Sequence, residues 1–295
     1  MKVDVECAPC LLYRGYRELS KATDDMETRF EVMEALLKLE QSEFGPEAVP
    51  AVLGTKRDRL IKVMTGVADP YQQDKKRSNS YALMLYPGLR ERVLSKGGGW
   101  GSFSEAVRLS ILGNSIEMDV LDHNFSPEDI SRLVEPLPLG IDTSKEIFEL
   151  AKKSKSVLFI CDNAGEIVFD RILVERIKEL GARCTVAVKG GPVLNDATLL
   201  DAHEAGLDEV ADEIITTGSD SVGVFLEDSS EKFREVFEDS GLVVAKGMGN
   251  YETLTEESLS VPVAHLLLAK CDPVARSIGV KRGEGAASIR VPTIR

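Results

Sequence analysis

The sequence predicts an α/β protein, with a Rossmann-like parallel-sheet domain over residues 151–295 capped by a mostly helical domain over residues 1–150. Two observations carry this prediction. After Ser154, short apolar runs alternate with helical patterns, the texture of βαβ units and a parallel sheet. Before it, apolar residues cluster at helical spacing. No Pro/Gly-rich linker marks the change between residues 145 and 155, so the two parts are expected to pack tightly.

In the first part, Asp24-Asp25-Met26-Glu27 has the spacing of a helix capping box, ahead of Phe30, Val32, Met33, Leu36, Leu37 and Leu39. A second helix is predicted around Leu60, Ile61, Val63 and Met64. A third contains Tyr81, Leu83, Met84, Leu85, Leu89 and Val93, with Pro87-Gly88 interrupting it. Gly97-Gly98-Gly99-Trp100-Gly101 reads as a flexible break, and helical periodicity resumes over residues 103–116. In the second part, strands are predicted over residues 156–161, 184–188, 213–217, 242–245 and 261–268. Between them lie helical patterns such as Phe169, Ile172, Leu173, Ile177 and Leu180.

Composition limits the function. The chain has 295 residues, 43% of them hydrophobic, and no run near the roughly 18 apolar residues of a membrane span. The opening Met1-Lys2-Val3-Asp4-Val5-Glu6 lacks a signal-peptide core, so a cytoplasmic location is expected. A net charge of −13 argues against nucleic-acid or anionic-membrane partners. Any phosphate site must then draw positive charge locally, from lysines or a metal. Five cysteines do not make a disulfide framework.

The chemistry gathers at the strand ends, which lie along one edge of a parallel sheet. The first ends in Asp162-Asn163-Ala164-Gly165-Glu166, and the second in Lys189-Gly190-Gly191-Pro192 with Asn195-Asp196 close behind. The third ends in Thr217-Gly218-Ser219-Asp220-Ser221, the fourth in Lys246-Gly247-Met248-Gly249-Asn250-Tyr251, and the fifth in Lys270-Cys271-Asp272. That edge would gather the oxygen ligands Asp162, Asn163 and Asp196, suited to Mg²⁺ or Mn²⁺, with Lys189, Lys246 and Lys270. Glycines such as Gly249 let backbone N–H groups approach an anion. A metal and lysines on a concave edge suit phosphoryl chemistry. Each piece has a bland alternative: Asp-Asn as a turn or helix cap, lysines as solvated charge, glycines as turn formers. Repetition at one topological place argues against those alternatives. No Gly-x-Gly-x-x-Gly or P-loop pattern is present, which disfavours dinucleotide and nucleoside-triphosphate sites.

Asp162-Asn163-Ala164-Gly165-Glu166, Asn195-Asp196 and Lys246-Gly247-Met248-Gly249-Asn250-Tyr251 together resemble the motifs of the metal-dependent damage-control phosphatases, catalogued as domain-of-unknown-function family eighty-nine. Cys7-Ala8-Pro9-Cys10, Asp69-Pro70-Tyr71 and Gly113-Asn114-Ser115-Ile116 resemble signatures of its subfamily with an N-terminal Cys-x-x-Cys. The resemblance implies that Asp162, Asn163 and Asp196 bind a divalent metal (Mg, Mn, Co or Ni) and that Glu166, Asn195, Asn250 and Lys246 line a phosphate pocket. Lys270 matches the lysine of an Arg-Thr-x-Lys motif from another subfamily, although Leu267 and Leu268 stand for the Arg and Thr. It also implies a helical domain capping a Rossmann-like one.

The expected activity is metal-dependent hydrolysis of a small phosphorylated metabolite, a sugar phosphate or a damaged phospho-metabolite. A metal-activated water would attack while Lys246, with Lys270 or Lys189, offsets developing charge. Glu166 would orient the water or act as general base, and Asp162 as nucleophile is a variant. S-adenosylmethionine-dependent carboxyl methyl transfer and non-catalytic sensing of a phospho-metabolite are the alternatives. Cys7 and Cys10 read as half a zinc site completed by His123 or Cys271, as a redox pair, or as packing. Cys161, Cys271, His203 and His265 read as structural.

Overall fold

The computed structural model describes residues 1–114 and 137–292, so the readings made of Ser115, Ile116 and His123 fall outside the described residues. The strands are β1 (Leu139–Asp142), β2 (Ser156–Ile160), β3 (Arg183–Val188), β4 (Glu213–Thr216), β5 (Leu242–Lys246), β6 (Val263–Leu268) and β7 (Gly285–Arg290). They form one seven-stranded sheet in the order β1-β7-β6-β5-β2-β3-β4. The five predicted strands are the parallel run from β6 to β4. Sequence patterning misses β7, antiparallel to β6, and β1, parallel to β7. The segment Gly285–Arg290, GAASIR, has no apolar run, and β1 is four residues long with no fully buried position.

The helices are α1 (Cys7–Ala22), α2 (Met26–Glu43), α3 (Pro50–Thr65), α4 (Gln72–Leu94), α5 (Trp100–Gly113), α6 (Ser144–Lys153), α7 (Glu166–Glu179), α8 (Leu199–Glu204), α9 (Glu231–Glu238), α10 (Gly247–Leu254) and α11 (Asp272–Ile278). The cap of α2 falls one residue later than the predicted box. Asp25 accepts the Thr28 N–H at 2.8 Å, while Asp24 pairs with Arg29. Pro87 does not interrupt α4, which runs through it. A mid-helix proline costs roughly 3 kcal/mol. Ala82, Leu89 and Val93, buried along one stripe, outweigh that at roughly 1.5–3 kcal/mol for each large side chain.

Alternation along the strands fills both faces of the sheet. Val157, Phe159, Val186, Val188, Val244 and Leu266 pack under α4 to α7, against Phe103, Val107, Ile147, Phe169 and Ile172. Leu158, Ile160, Ile215, Val243 and Val263 pack against Phe233, Phe237 and Leu254 on the other face. A Cβ at Gly113 would lie 3.1 Å from Phe169 Cβ, so a bare glycine permits the close approach of α5 to α7. The helical half thus divides. Helices α4 and α5 belong to the sheet's layer, and α1 to α3 build a small separate core around Leu19, Val32, Leu36 and Ile61. Helix α3 rests on α10, at the carboxyl end of β5.

Candidate active site

Strand order reverses between β2 and β5: the chain proceeds from β2 outward through β3 and β4, then returns to β5 on the other side. The crevice outside the carboxyl ends at such a point is where open α/β sheets bind ligands. Asp162 and Asn163 follow β2 there, and Gly247 follows β5. Gly247 has φ of 77°, and a Cβ on it would lie 1.8 Å from Asp162 Oδ2. Only glycine fits that position.

A short antiparallel bridge between Asn163 and Asp196 joins the two acidic motifs. Ala197 N–H donates to Asp162 O at 2.8 Å and Ala164 N–H to Asn195 O at 2.9 Å. Motifs 34 positions apart in sequence, from 162 to 196, therefore face each other across one backbone ladder. Asn163 Nδ2 donates to Asp162 Oδ2 at 2.8 Å and to Glu166 Oε2 at 2.9 Å. Asn114, at the end of α5, does the same from the other side, at 3.1 and 2.6 Å. The two amides hold the two carboxylates in a fixed arrangement and leave Asn114 Oδ1 buried without a hydrogen-bond partner.

Burial dominates the electrostatics of these carboxylates. Burial, followed by the nearby Asp196 and Glu166, pushes the Asp162 carboxyl well above the usual carboxylate range. Burial also raises Asp196, to about 6, with Lys189 opposing and Asp58 and Glu166 adding to the rise. Lys189 Nζ lies 3.4 Å from Asp196 Oδ2, which still has no hydrogen-bond partner. Among the described residues no three His, Cys, Asp or Glu side chains gather as a metal cluster. The oxygens converging here come instead from two carboxylates and amides, a hard donor set.

Lys246 does not face the cavity. It is fully buried behind the site, and its ammonium donates to Ser110 O, Glu166 Oε1 and Asp170 Oδ1, each at 2.7 Å. Burial acts to lower its pKa, but Asp170 and Glu166 outweigh this and raise it. Asn250 is likewise buried: its Nδ2 braces Cys161 O and Lys246 O, the carboxyl ends of β2 and β5. Lys189 donates to Gly223 O besides its pairing with Asp196. These three residues, read from sequence as contacts to a phosphate, sit behind the carboxylates that form the surface. A lysine or asparagine at a strand end looks the same in sequence whichever way it points.

The surface itself is a cavity of about 290 Å³ between the sheet edge and helices α1 and α3. Asn114, Asp162, Asn163, Asn195, Asp196, Gly249 and Lys270 line one part of it. Arg14, Arg57, Glu252 and Arg282 line it as well, together with Cys7, Cys10 and Cys271. Burial pushes Glu252 up to about 7. Sequence reading missed Asn114 as a site residue, although Gly113-Asn114 was noticed as a motif. It missed Arg14, Arg57 and Glu252 altogether, because a lone charged residue on a helix carries no pattern. A wider depression beside Arg90, Arg171 and Glu175 holds its charges in surface ion pairs and none of the motif residues.

The loop bearing Asp196 is gripped from α3. Leu194 adopts φ of 46°, a left-handed conformation that costs a non-glycine residue roughly 1–3 kcal/mol. Asp58 Oδ1 accepts the Leu194 N–H at 3.1 Å, and Lys62 donates to Pro192 O at 2.7 Å. Lys62 also bridges Asp58 and Asp220. The helical half thus fixes the placement of a sheet-edge carboxylate.

The remaining residues of interest are structural in their surroundings. All five cysteines are free, and Cys161 and Cys184 are buried in the core. Cys7, Cys10 and Cys271 find no completed metal set among the described residues. His203 is exposed beside Asp208, and His265 is buried edge-on to Tyr251 with ring centroids 5.3 Å apart. Burial lowers the His265 pKa to about 3.

Comparison with known proteins agrees with this fold. A family model described as the damage-control phosphatase ARMT1-like domain matches residues 3–285. A protein named damage-control phosphatase from Archaeoglobus fulgidus is 37% identical over 293 residues, covering 98% of this chain and 99% of its own. The damage-control phosphatase PH1575 from Pyrococcus horikoshii is 38% identical over 287 residues, 96% of each chain. The crystal structure of that Pyrococcus protein, described as a member of the DUF89 family, superposes with a TM-score of 0.87 over 97% of this chain and 98% of its own. The chain belongs to the damage-control phosphatase ARMT1-like family.

Proposed function

We propose that this damage-control phosphatase hydrolyses a small phosphorylated metabolite with a divalent cation held by Asp162, Asn163 and Asp196. The observation that carries the reading is the pair of facing motifs at the switch point, with Asp162 and Asp196 both shifted upward by burial and Asp196 adding to the shift at Asp162. The residues fit such an ion. Asp196 Oδ2 and Asn114 Oδ1 are buried oxygens without hydrogen-bond partners, and the donor set is hard oxygen, suited to Mg²⁺, Mn²⁺, Co²⁺ or Ni²⁺. When bound, the cation supplies charge neutralisation at phosphoryl oxygens and lowers the pKa of a water.

The chain's own residues do the rest. Asn114 and Asn163 clamp Asp162 and Glu166 through their amides, so neither carboxylate is free to rotate. Glu166, expected from sequence to meet the water, is fully buried behind the cavity wall: Lys246 anchors its Oε1, and its Oε2 accepts from Asn114 and Asn163, so it acts as a positioning residue. Lys270 on the cavity wall is the lysine placed to offset charge on the substrate. Lys246, Lys189 and Asn250 act from behind as positioning residues. Gly249 and Asn195 add wall surface beside the ligands.

The test is p-nitrophenyl phosphate hydrolysis by metal-stripped protein, before and after addition of each candidate cation, beside Asp162→Ala. Turnover restored by metal and absent from the variant supports the reading. Turnover that persists in chelator, or none with any cation bound, would turn attention to methyl transfer or ligand sensing.

A further inference from the structure

We propose that Arg57 is a binding residue for a second anionic group on the substrate, a phosphate or carboxylate remote from the phosphoryl group that is cleaved. The inference rests on the phosphatase reading for the position of the reacting end and extends it to the substrate's class. Arg57 stands on α3, is 2% exposed, and lines the cavity shared with Asp162 and Asp196. A guanidinium offers five donors in a fixed fork suited to phosphate and carboxylate. Its Nε and Nη2 have no hydrogen-bond partner. Buried donors without partners are rare in folded proteins and costly to leave unmet.

Nη2 lies beside Gly54, one helical turn earlier and also on the cavity wall: a Cβ there would be in ordinary contact with it at 3.9 Å. Glycine at position 54 thus leaves the guanidinium uncovered on that side. Glu18 is the ion-pair partner, but at 3.5 Å and with neither of its oxygens hydrogen-bonded. It is itself buried beside Asp58, and burial raises its pKa to about 9. A protonated Glu18 takes its counter-charge away from Arg57, leaving Glu40 as a carboxylate that still acts on it. Arg14 and Arg282 line the same cavity, so the surroundings of Arg57 add to its pull on an anion. If Arg57 served only to tie α1 to α3 through Glu18, well-formed hydrogen bonds between the two would be expected; they are not present.

The experiment is calorimetric titration of the Mn²⁺-loaded protein with alkanediol bisphosphates of increasing length, the matching alkyl monophosphates, and alkyl phosphates ending in a carboxylate. Binding is read directly, so a failure of hydrolysis is distinguishable from a failure of this proposal. At least one doubly anionic series should bind about tenfold or more tightly than its monophosphate, the scale of a charge-assisted contact. Which series does so identifies the second group. Arg57→Gln should lower that ratio to near one, and Arg57→Lys should retain part of it. Thermal denaturation of each variant reports whether it folds. Should Arg57→Gln fail to fold, Glu18→Gln takes its place: it keeps the arginine, and the ratio should stay or rise. Equal affinity for singly and doubly anionic ligands in the wild-type protein, or an undiminished ratio in folded Arg57→Gln, would overturn the proposal.

Discussion

Replacing Lys246 by Met separates a positioning residue from one that touches the substrate. Lys246 has no exposed surface, and its three donors meet Ser110 O, Glu166 Oε1 and Asp170 Oδ1 at 2.7 Å each. Methionine fills similar volume but leaves two buried carboxylates facing each other without a cation. Removing one partner of a buried ion pair costs about 3–5 kcal/mol. For a chain of this size that lowers the thermal midpoint by roughly 6–20 °C, at about 2–4 °C per kcal/mol. The deficit should shrink as pH falls. Burial already raises Asp170 to about 7, and without the lysine it takes up its proton in the folded state at still higher pH. Lowering the pH therefore favours the folded variant over its unfolded chain. Urea unfolding at several pH values measures the deficit, and Mn²⁺ calorimetry should show weakened binding as Glu166 shifts its hold on Asn114 and Asn163. A variant as stable as wild type at neutral pH, with only turnover reduced, would refute the positioning role.

Gly247→Ala should weaken Mn²⁺ binding by more than tenfold, measured by calorimetry, because its methyl group would overlap Asp162 Oδ2. Asp58→Ala should destabilise the protein by about 2–3 kcal/mol and weaken metal binding, since it frees the strained Leu194 loop and leaves Lys62 with Asp220 as its remaining carboxylate. Urea unfolding with a parallel metal titration checks both effects. Burial lowers the His265 pKa from the ordinary 6.5 to about 3, so the unfolded chain binds its proton first. The stability that depends on a neutral His265 is present above pH 6.5 and declines by about 1.4 kcal/mol per pH unit as pH falls toward 3. Compared with His265→Phe, wild-type protein should lose correspondingly more stability between pH 6.5 and pH 5 in urea unfolding.

Much of the sheet was legible because buried parallel strands are apolar on both faces, as Val157 to Ile160 and Leu242 to Ala245 are. The edge strands were not, since β1 and β7 are small-residue or half-exposed segments whose identity comes from their neighbours. Pro87 misled for the opposite reason, as a local breaker overruled by the stripe of Ala82, Leu89 and Val93. At the site, the facing acidic motifs were readable from strand-end position alone. The direction of each side chain was not. Lys246 and Asn250 turn inward to brace the strands, while Asn114 and Arg57 reach the cavity from helices whose sequence shows only periodicity. Convergence of this kind is a property of the packed helices and leaves no spacing in the chain.

The most direct test of the account is an anomalous difference map from crystals soaked in Mn²⁺. One strong peak is expected within ligand reach, about 2.0–2.3 Å, of oxygens from Asp162, Asn163 and Asp196. A peak elsewhere in the cavity, or none at that place with the carboxylates ordered, would contradict it.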